Sequence, residues 1–191
     1  GIIVGGGPFN ASDAPEAKSP VQQRVEAEFA TLLDRVVPAD FPFFGACYGI
    51  GTLGAHEGAV IDRTFGEPIS VVPVTLTDEG ARDPLFAGLP TEFGAFVGHK
   101  EAVSRLPAHA VHLASSAGCP VQAFRVGQNV YATQFHPELD VDGITTRIHA
   151  YAGHGYFAAH ELELTLAAVR TAPVSHPSRM LRTFVERYAR D

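Results

Sequence analysis

The chain has 191 residues, 46% of them hydrophobic, and no apolar run long enough to cross a bilayer, so it predicts one soluble globular domain over residues 1–191 with the bulk for a real core. Its 14 Lys and Arg are scattered and outnumbered by 21 Asp and Glu, for a formal net charge of -7, which excludes a nucleic-acid surface or a face for anionic membranes. Cys47 and Cys119 are the only two cysteines, which excludes a disulfide scaffold and suits a reducing cytoplasm.

The chain opens on Gly1-Ile2-Ile3-Val4, a short apolar run with β-branched residues that reads as a buried parallel strand, followed by the tight loop Gly5-Gly6-Gly7-Pro8. Backbone N–H groups in such a loop can point at an anion without side-chain obstruction. A phosphate-binding loop is the competing reading, but neither G-x-G-x-x-G nor a trailing Gly-Lys-Ser/Thr is present, so no nucleotide cofactor is expected. Ser19-Pro20-Val21-Gln22 has the form of an N-cap, an N1 proline and a capping-box partner. Val21, Val25, Phe29, Leu32, Leu33 and Val36 then follow with helical spacing. This helix links the first strand to a second over Phe41–Phe44, which makes a parallel βαβ crossover.

At Phe43-Phe44-Gly45-Ala46-Cys47-Tyr48-Gly49-Ile50-Gly51 an apolar strand runs into a cysteine with glycine two residues away on either side, the pattern of a nucleophile elbow. The corner residue takes a strained backbone, glycine leaves room for the turn, and the amino terminus of the next helix favours a thiolate. Amides of Gly7 and Tyr48 can form an oxyanion hole beside it.

Further strands are predicted over Ile69–Leu76, Phe93–Val97, Val111–Ala114, Val121–Val126 and Val130–Phe135, the last two joined as a hairpin by Gly127-Gln128-Asn129. The last strand ends in His136-Pro137-Glu138. Imidazole titrates near neutral pH and can take the thiol proton and return it to a leaving amine, while Glu138 can orient the ring; Cys47, His136 and Glu138 thus form a candidate triad. Helices follow near Ile144–Tyr151, Glu161–Arg170 and Ser178–Tyr188, and Met180, Leu181, Phe184, Val185 and Tyr188 mark the last as docked on the core.

Other residues carry blander readings. His56, His109, His112, His149, His154, His160 and His176 show no spacing that places a metal-binding pair on one helix face, so no metal site is expected. Cys119, before Pro120, reads as a packed small hydrophobe. Glu161 and Glu163 read as a solvated helix start, and His99 is as readily structural as contacting.

The segments Gly5-Gly6-Gly7-Pro8, Gly45-Ala46-Cys47-Tyr48-Gly49, Gly98-His99-Lys100-Glu101-Ala102-Val103 with Leu106-Pro107, Gln122-Ala123-Phe124 and Gln134-Phe135-His136-Pro137-Glu138, in this order, resemble the class I glutamine amidotransferases, specifically the stand-alone group similar to the amidotransferase domain of GMP synthase. The resemblance runs nearly end to end. It implies a doubly wound α/β domain with a mostly parallel, flavodoxin-like sheet. It also implies release of ammonia from glutamine through a γ-glutamyl thioester on Cys47, with His136 as base and acid, Glu138 orienting it, and oxyanion amides from Gly7 and Tyr48. The backbone of Gly98, Lys100 and Glu101 would meet the substrate's α-amino and carboxylate groups. Ammonia would pass to a synthetase subunit in trans. The alternatives are a γ-glutamyl hydrolase acting on a glutamine conjugate and a regulatory subunit that only binds.

Two departures stand out. Many family members carry a glutamine four residues after the nucleophile, where this chain has Gly51; the expectation is that a partner completes the site or that a bulkier γ-glutamyl compound uses the vacated space. The family also places one or more βα units, about 30 residues each, before the strand that begins here, which implies that an amino-terminal part is missing.

Overall fold

Neighbouring residues of a strand face opposite sides of a sheet, and the consecutive Phe43 and Phe44 are both fully buried. Phe43 joins an apolar cluster with Leu33, Ile50 and Val130, and Phe44 joins a second one with Leu85, Met180 and Phe184. A strand buried on both faces belongs in the middle of a sheet covered on both sides. The computed structural model, which describes residues 1–152 and 159–189, has this layered α/β architecture. His154 lies outside the described residues.

In chain order the elements are β1 (Ile2–Val4), α1 (Pro20–Val36), β2 (Phe43–Ala46), α2 (Tyr48–His56), β3 (Val60–Asp62), β4 (Glu67–Leu76), α3 (Asp78–Arg82), β5 (Glu92–His99), β6 (Ala102–Arg105), β7 (Val111–Ser115), β8 (Ala123–Val126), β9 (Val130–Thr133), α4 (Val141–Ala150), α5 (Leu162–Thr171) and α6 (Pro177–Tyr188). Seven strands form the main sheet in the order β1-β2-β9-β8-β7-β4-β5. β1, β2 and β9 pair in parallel, as the crossover through α1 requires. The remaining pairs are antiparallel, including the predicted β8–β9 hairpin. The sheet is mostly parallel in strand direction, since only β8 and β4 run against the other five, although most neighbours are antiparallel.

Alternation along each strand explains how both faces are covered. Phe93, Ala95 and Val97 of β5 face Met180 and Phe184 of α6, whereas Phe96 between them faces Ile144 and Ile148 of α4 and Leu166 and Val169 of α5. On that second face, farther along the sheet, Leu33 and Val36 of α1 and Ile50 and Leu53 of α2 cover β2, β8 and β9. Val185, read as part of the docked stripe of α6, is exposed instead. Among the described residues no helix is long and apolar enough to cross a membrane.

Three expectations are corrected here, and one strand pair is new. Among the described residues β1 pairs with β2 alone and lies at the sheet edge, with Ile3 48% exposed where a buried strand was expected. Ser19 caps α1 by accepting from the Gln22 N–H at 3.2 Å, but the Gln22 side chain does not return to Ser19; its Nε2 donates to Asn10 O at 2.9 Å and to Glu26 Oε1 at 3.0 Å. Val21, at the start of the expected apolar stripe, is 64% exposed. β3 and β6, which pair antiparallel as a separate two-stranded sheet, had no counterpart in the sequence reading. At three and four residues they are too short to show an alternating pattern.

Candidate active site

The parallel pairing of β2 with β9 brings the carboxyl ends of both strands to one edge of the sheet, with Ala46 opposite Thr133. Ligands of α/β sheets gather at such an edge. Cys47 follows β2 there and starts α2 with φ 52° and ψ −96°, a left-handed backbone that side chains rarely adopt. Two contacts hold the corner. The Cys47 N–H donates to Thr133 O at 2.8 Å, and Gly45 lies so close to the start of α2 that a Cβ on it would stand 2.9 Å from the Gly49 carbonyl. Gly49 itself is less constrained than the elbow pattern suggests, since its Cβ would meet Val4 O at an ordinary 3.4 Å. The first N–H groups of α2, beginning with Tyr48, have no partner within the helix and surround the thiol with partial positive charge.

Beyond β9 the chain carries His136 to the same edge. Its backbone N–H donates to Phe96 O at 2.9 Å, and the imidazole is fully buried. Nδ1 lies 2.7 Å from Glu138 Oε1, with the Glu138 side chain 31% exposed. Nε2 is buried and makes no aligned hydrogen bond. Burial pushes the imidazole pKa down, but this is outweighed by the charge of neighbouring Cys47 and the contact with Glu138, and the net value rises from 6.5 to about 9. Burial pushes the Glu138 carboxyl up, while the hydrogen bond and charge of His136 outweigh it and hold the group below its ordinary range. The arrangement can hold a charged imidazole beside the Cys47 side chain.

Of the other expected site residues, Gly7, Tyr48, Gly51, Lys100 and Glu101 line one small space with Cys47. Gly98 does not line it; this glycine packs on Ile69, whose Cγ1 would stand 2.8 Å from a Cβ there. The room expected beside Gly51 is taken: a Cβ on it would lie 3.1 Å from Glu101 Oε1 and 3.5 Å from Ala11 Cβ. The whole space measures about 20 Å³, enough for about one water. Phe9, Asn10 and Ile61 also line it and were not singled out from sequence, and so do Ala102 and Gln134, named there only as parts of the resembling segments. Phe9 and Asn10 follow the glycine loop directly and Gln134 lies two residues before His136, so proximity in sequence was the available signal. Gly6 sits over the imidazole, where its Cβ would be 3.0 Å from His136 Cε1.

His99 lines the site but is spent on structure. Its Nδ1 is 2.8 Å from Glu101 O and its Nε2 2.9 Å from Glu67 Oε2. Glu67 also accepts from Gln122 Nε2 at 2.7 Å and from Ser116 Oγ at 3.2 Å. Cys119 is buried beside them, its thiol donating to Val121 O at 3.5 Å, and burial pushes its pKa up to about 12. Among the described residues Glu67, His99 and Cys119 are the one group with metal-ligating atoms close together, and both carboxylate oxygens of Glu67 are already taken by the hydrogen bonds just given.

Comparison with known proteins identifies the family. A family model described as glutamine amidotransferase class-I matches residues 1–166. Among curated relatives, a protein of Methanocaldococcus jannaschii named as one subunit of glutamine-hydrolyzing GMP synthase is 30% identical over 140 residues, 73% of this chain and 64% of that protein. A putative glutamine amidotransferase-like protein of Salmonella typhimurium is 32% identical over 145 residues, covering 75% of this chain and 58% of the relative. A GMP synthase of Thermosipho africanus is 28% identical over 141 residues, 72% of this chain, and the chain spans 24% of its length. A crystal structure of a glutamine amidotransferase from Thermotoga maritima superposes with a TM-score of 0.72 at 23% identity, covering 97% of this chain and 76% of that one. With the family model spanning most of its length, the chain belongs to the class I glutamine amidotransferases.

Proposed function

We propose that this chain is a glutaminase whose domain spans residues 1–191, hydrolysing the side-chain amide of glutamine and delivering the ammonia to a synthetase subunit. The observation that carries the reading is the corner geometry: Cys47 at positive φ beside a buried imidazole whose far nitrogen is held 2.7 Å from Glu138. In this mechanism the Cys47 thiolate attacks the amide carbon, and the oxygen gains the charge that the Gly7 and Tyr48 amides stabilise. The His136 imidazolium gives its proton to the leaving nitrogen, which departs as ammonia and leaves a γ-glutamyl thioester. Neutral His136 then takes a proton from water, the hydroxide adds to the thioester, and glutamate leaves as Cys47 regains its thiolate and His136 its proton. The backbone of Lys100 and Glu101 meets the amino-acid head of the substrate in this reading.

The Methanocaldococcus jannaschii relative, named as part of a GMP synthase made of separate chains, motivates the partner in trans. The test is ammonia release from L-glutamine by the purified chain, alone and with a synthetase subunit, compared with Cys47→Ala. Release that depends on Cys47 supports the proposal. Absence of release in both settings, or equal release by Cys47→Ala, contradicts it.

A further inference from the structure

The space at Cys47 holds about 20 Å³, far below the several hundred typical of ligand pockets. Cys47 itself is partly exposed, and movement of one wall would give a γ-glutamyl group room beside the thiol. Phe9 and Asn10 form part of that wall and belong to a stretch, Pro8–Asp13, without helix or strand. The stretch is tied down by two side chains distant in sequence: Glu101, and Arg63, a 60% exposed side chain whose Nη2 donates to Asp13 Oδ1 at 2.6 Å at the end of the stretch. The Glu101 carboxylate accepts from the Ala11 N–H at 2.7 Å and from the Ser12 N–H at 2.8 Å, while itself only 7% exposed. Both are hydrogen bonds to a charged acceptor, which outweigh neutral ones. The other anchors come from Lys18, bonded to Ala11 O at 3.0 Å, and from Gln22, bonded to Asn10 O at 2.9 Å. Those two lie within twelve residues of the loop on its own side of the site, so neither fixes it to the far wall.

We propose that Pro8–Asp13 is a lid over Cys47 and that Glu101 is its latch. Three features fit this role. Gly5-Gly6-Gly7 precedes the lid and supplies a pliable hinge, with open space around Gly5. Ser12 Oγ and Tyr48 Oη are buried without hydrogen-bond partners in the closed arrangement, a cost that opening relieves. Gly51 has no side chain to displace the latching oxygen, which would stand 3.1 Å from a Cβ there. The lid governs access for whatever the site accepts, and only the identity of that entrant rests on the glutaminase reading. Ligand affinity is then reduced by the fraction of molecules that stand open.

The experiment compares amide hydrogen exchange at residues 9–13, and the alkylation rate of Cys47 by iodoacetamide, in the wild-type chain, Glu101→Gln and Glu101→Asp. The glutamine amide retains the shape but turns a donor toward one of the two N–H groups. Aspartate retains the charge but falls one methylene short. Both variants are expected to exchange residues 9–13 at least about tenfold faster, equivalent to about 1.4 kcal/mol, with α2 unchanged and Cys47 alkylated faster in step. Thermal melting shows which variants are folded. Unchanged exchange in whichever variant folds overturns the latch, and so does wild-type exchange already at the rate of an unprotected chain. Neither readout needs turnover. A lid that opens on schedule in a protein releasing no ammonia refutes the glutaminase reading alone, and a static lid in an active glutaminase refutes the latch alone.

Discussion

His136 Nδ1 and Glu138 Oε1 are 2.7 Å apart across a single proline, so the residue proposed to move the proton and the residue proposed to orient it are set by one short stretch of backbone. Pro137 fixes its own φ and keeps the pair from rotating independently. Replacing His136 by Asn removes the acid and base, with an expected loss in glutamine turnover of about 10²- to 10⁴-fold. Glu138→Gln leaves the imidazole in place and loses only the charge behind it, so its expected loss is smaller than that of His136→Asn. Steady-state rates for the two variants check the order. Turnover of His136→Asn near the wild-type rate would mean that the base lies elsewhere.

The raised His136 pKa makes a prediction with a definite sign. The folded-state value of about 9 lies above the ordinary 6.5, so the proton stabilises the native state fully below pH 6.5, and this contribution is lost as pH rises through about 9. Much of the rise comes from the charge of Cys47. In Cys47→Ala the imidazole is therefore expected to titrate at lower pH than in the wild-type protein, toward the value that burial favours. Proton NMR of the His136 ring across pH 5–10 measures both midpoints. Equal midpoints would mean that the thiolate and the imidazole do not interact.

The two glycines of the elbow are expected to respond differently. Gly45→Ala forces a methyl to 2.9 Å from the Gly49 carbonyl and is expected to cost about 1–3 kcal/mol, the usual penalty of overpacking, while displacing Cys47. Gly49→Ala meets only ordinary contact with Val4 O, and alanine is the better helix former at that place, so stability is expected to hold or rise. Urea denaturation of both variants tests the contrast.

The placement of the candidate triad was more legible in the sequence than the shape of the pocket. Cys47, His136 and Glu138 could be placed at one sheet edge because strand ends and glycine spacing are local signals, and the parallel β2–β9 pairing then puts them together. The crossover through α1 was legible for the same reason, from the Ser19 cap and the helical spacing that follows it. What closes the site was not. The Glu101 carboxylate reaches amides 90 and 89 residues away, and no periodicity encodes such a contact. Gly51 suggested an opening because an absent side chain reads as empty space, yet a neighbour from another element fills it. Edge exposure of β1 was hidden likewise, since Ile2-Ile3-Val4 has the same composition whether one or two strands flank it.

The proposed function stands or falls on Cys47 being the activated thiol that reads glutamine. Reaction of the folded protein with a diazo-ketone analogue of glutamine, followed by peptide mapping, tests this directly. Cys119 is buried with its pKa pushed up to about 12 and serves as the internal control. One adduct is expected, on Cys47, suppressed by excess L-glutamine and absent from Cys47→Ala. Label on Cys119, equal label on both cysteines, or labelling of Cys47 that glutamine does not suppress would contradict it.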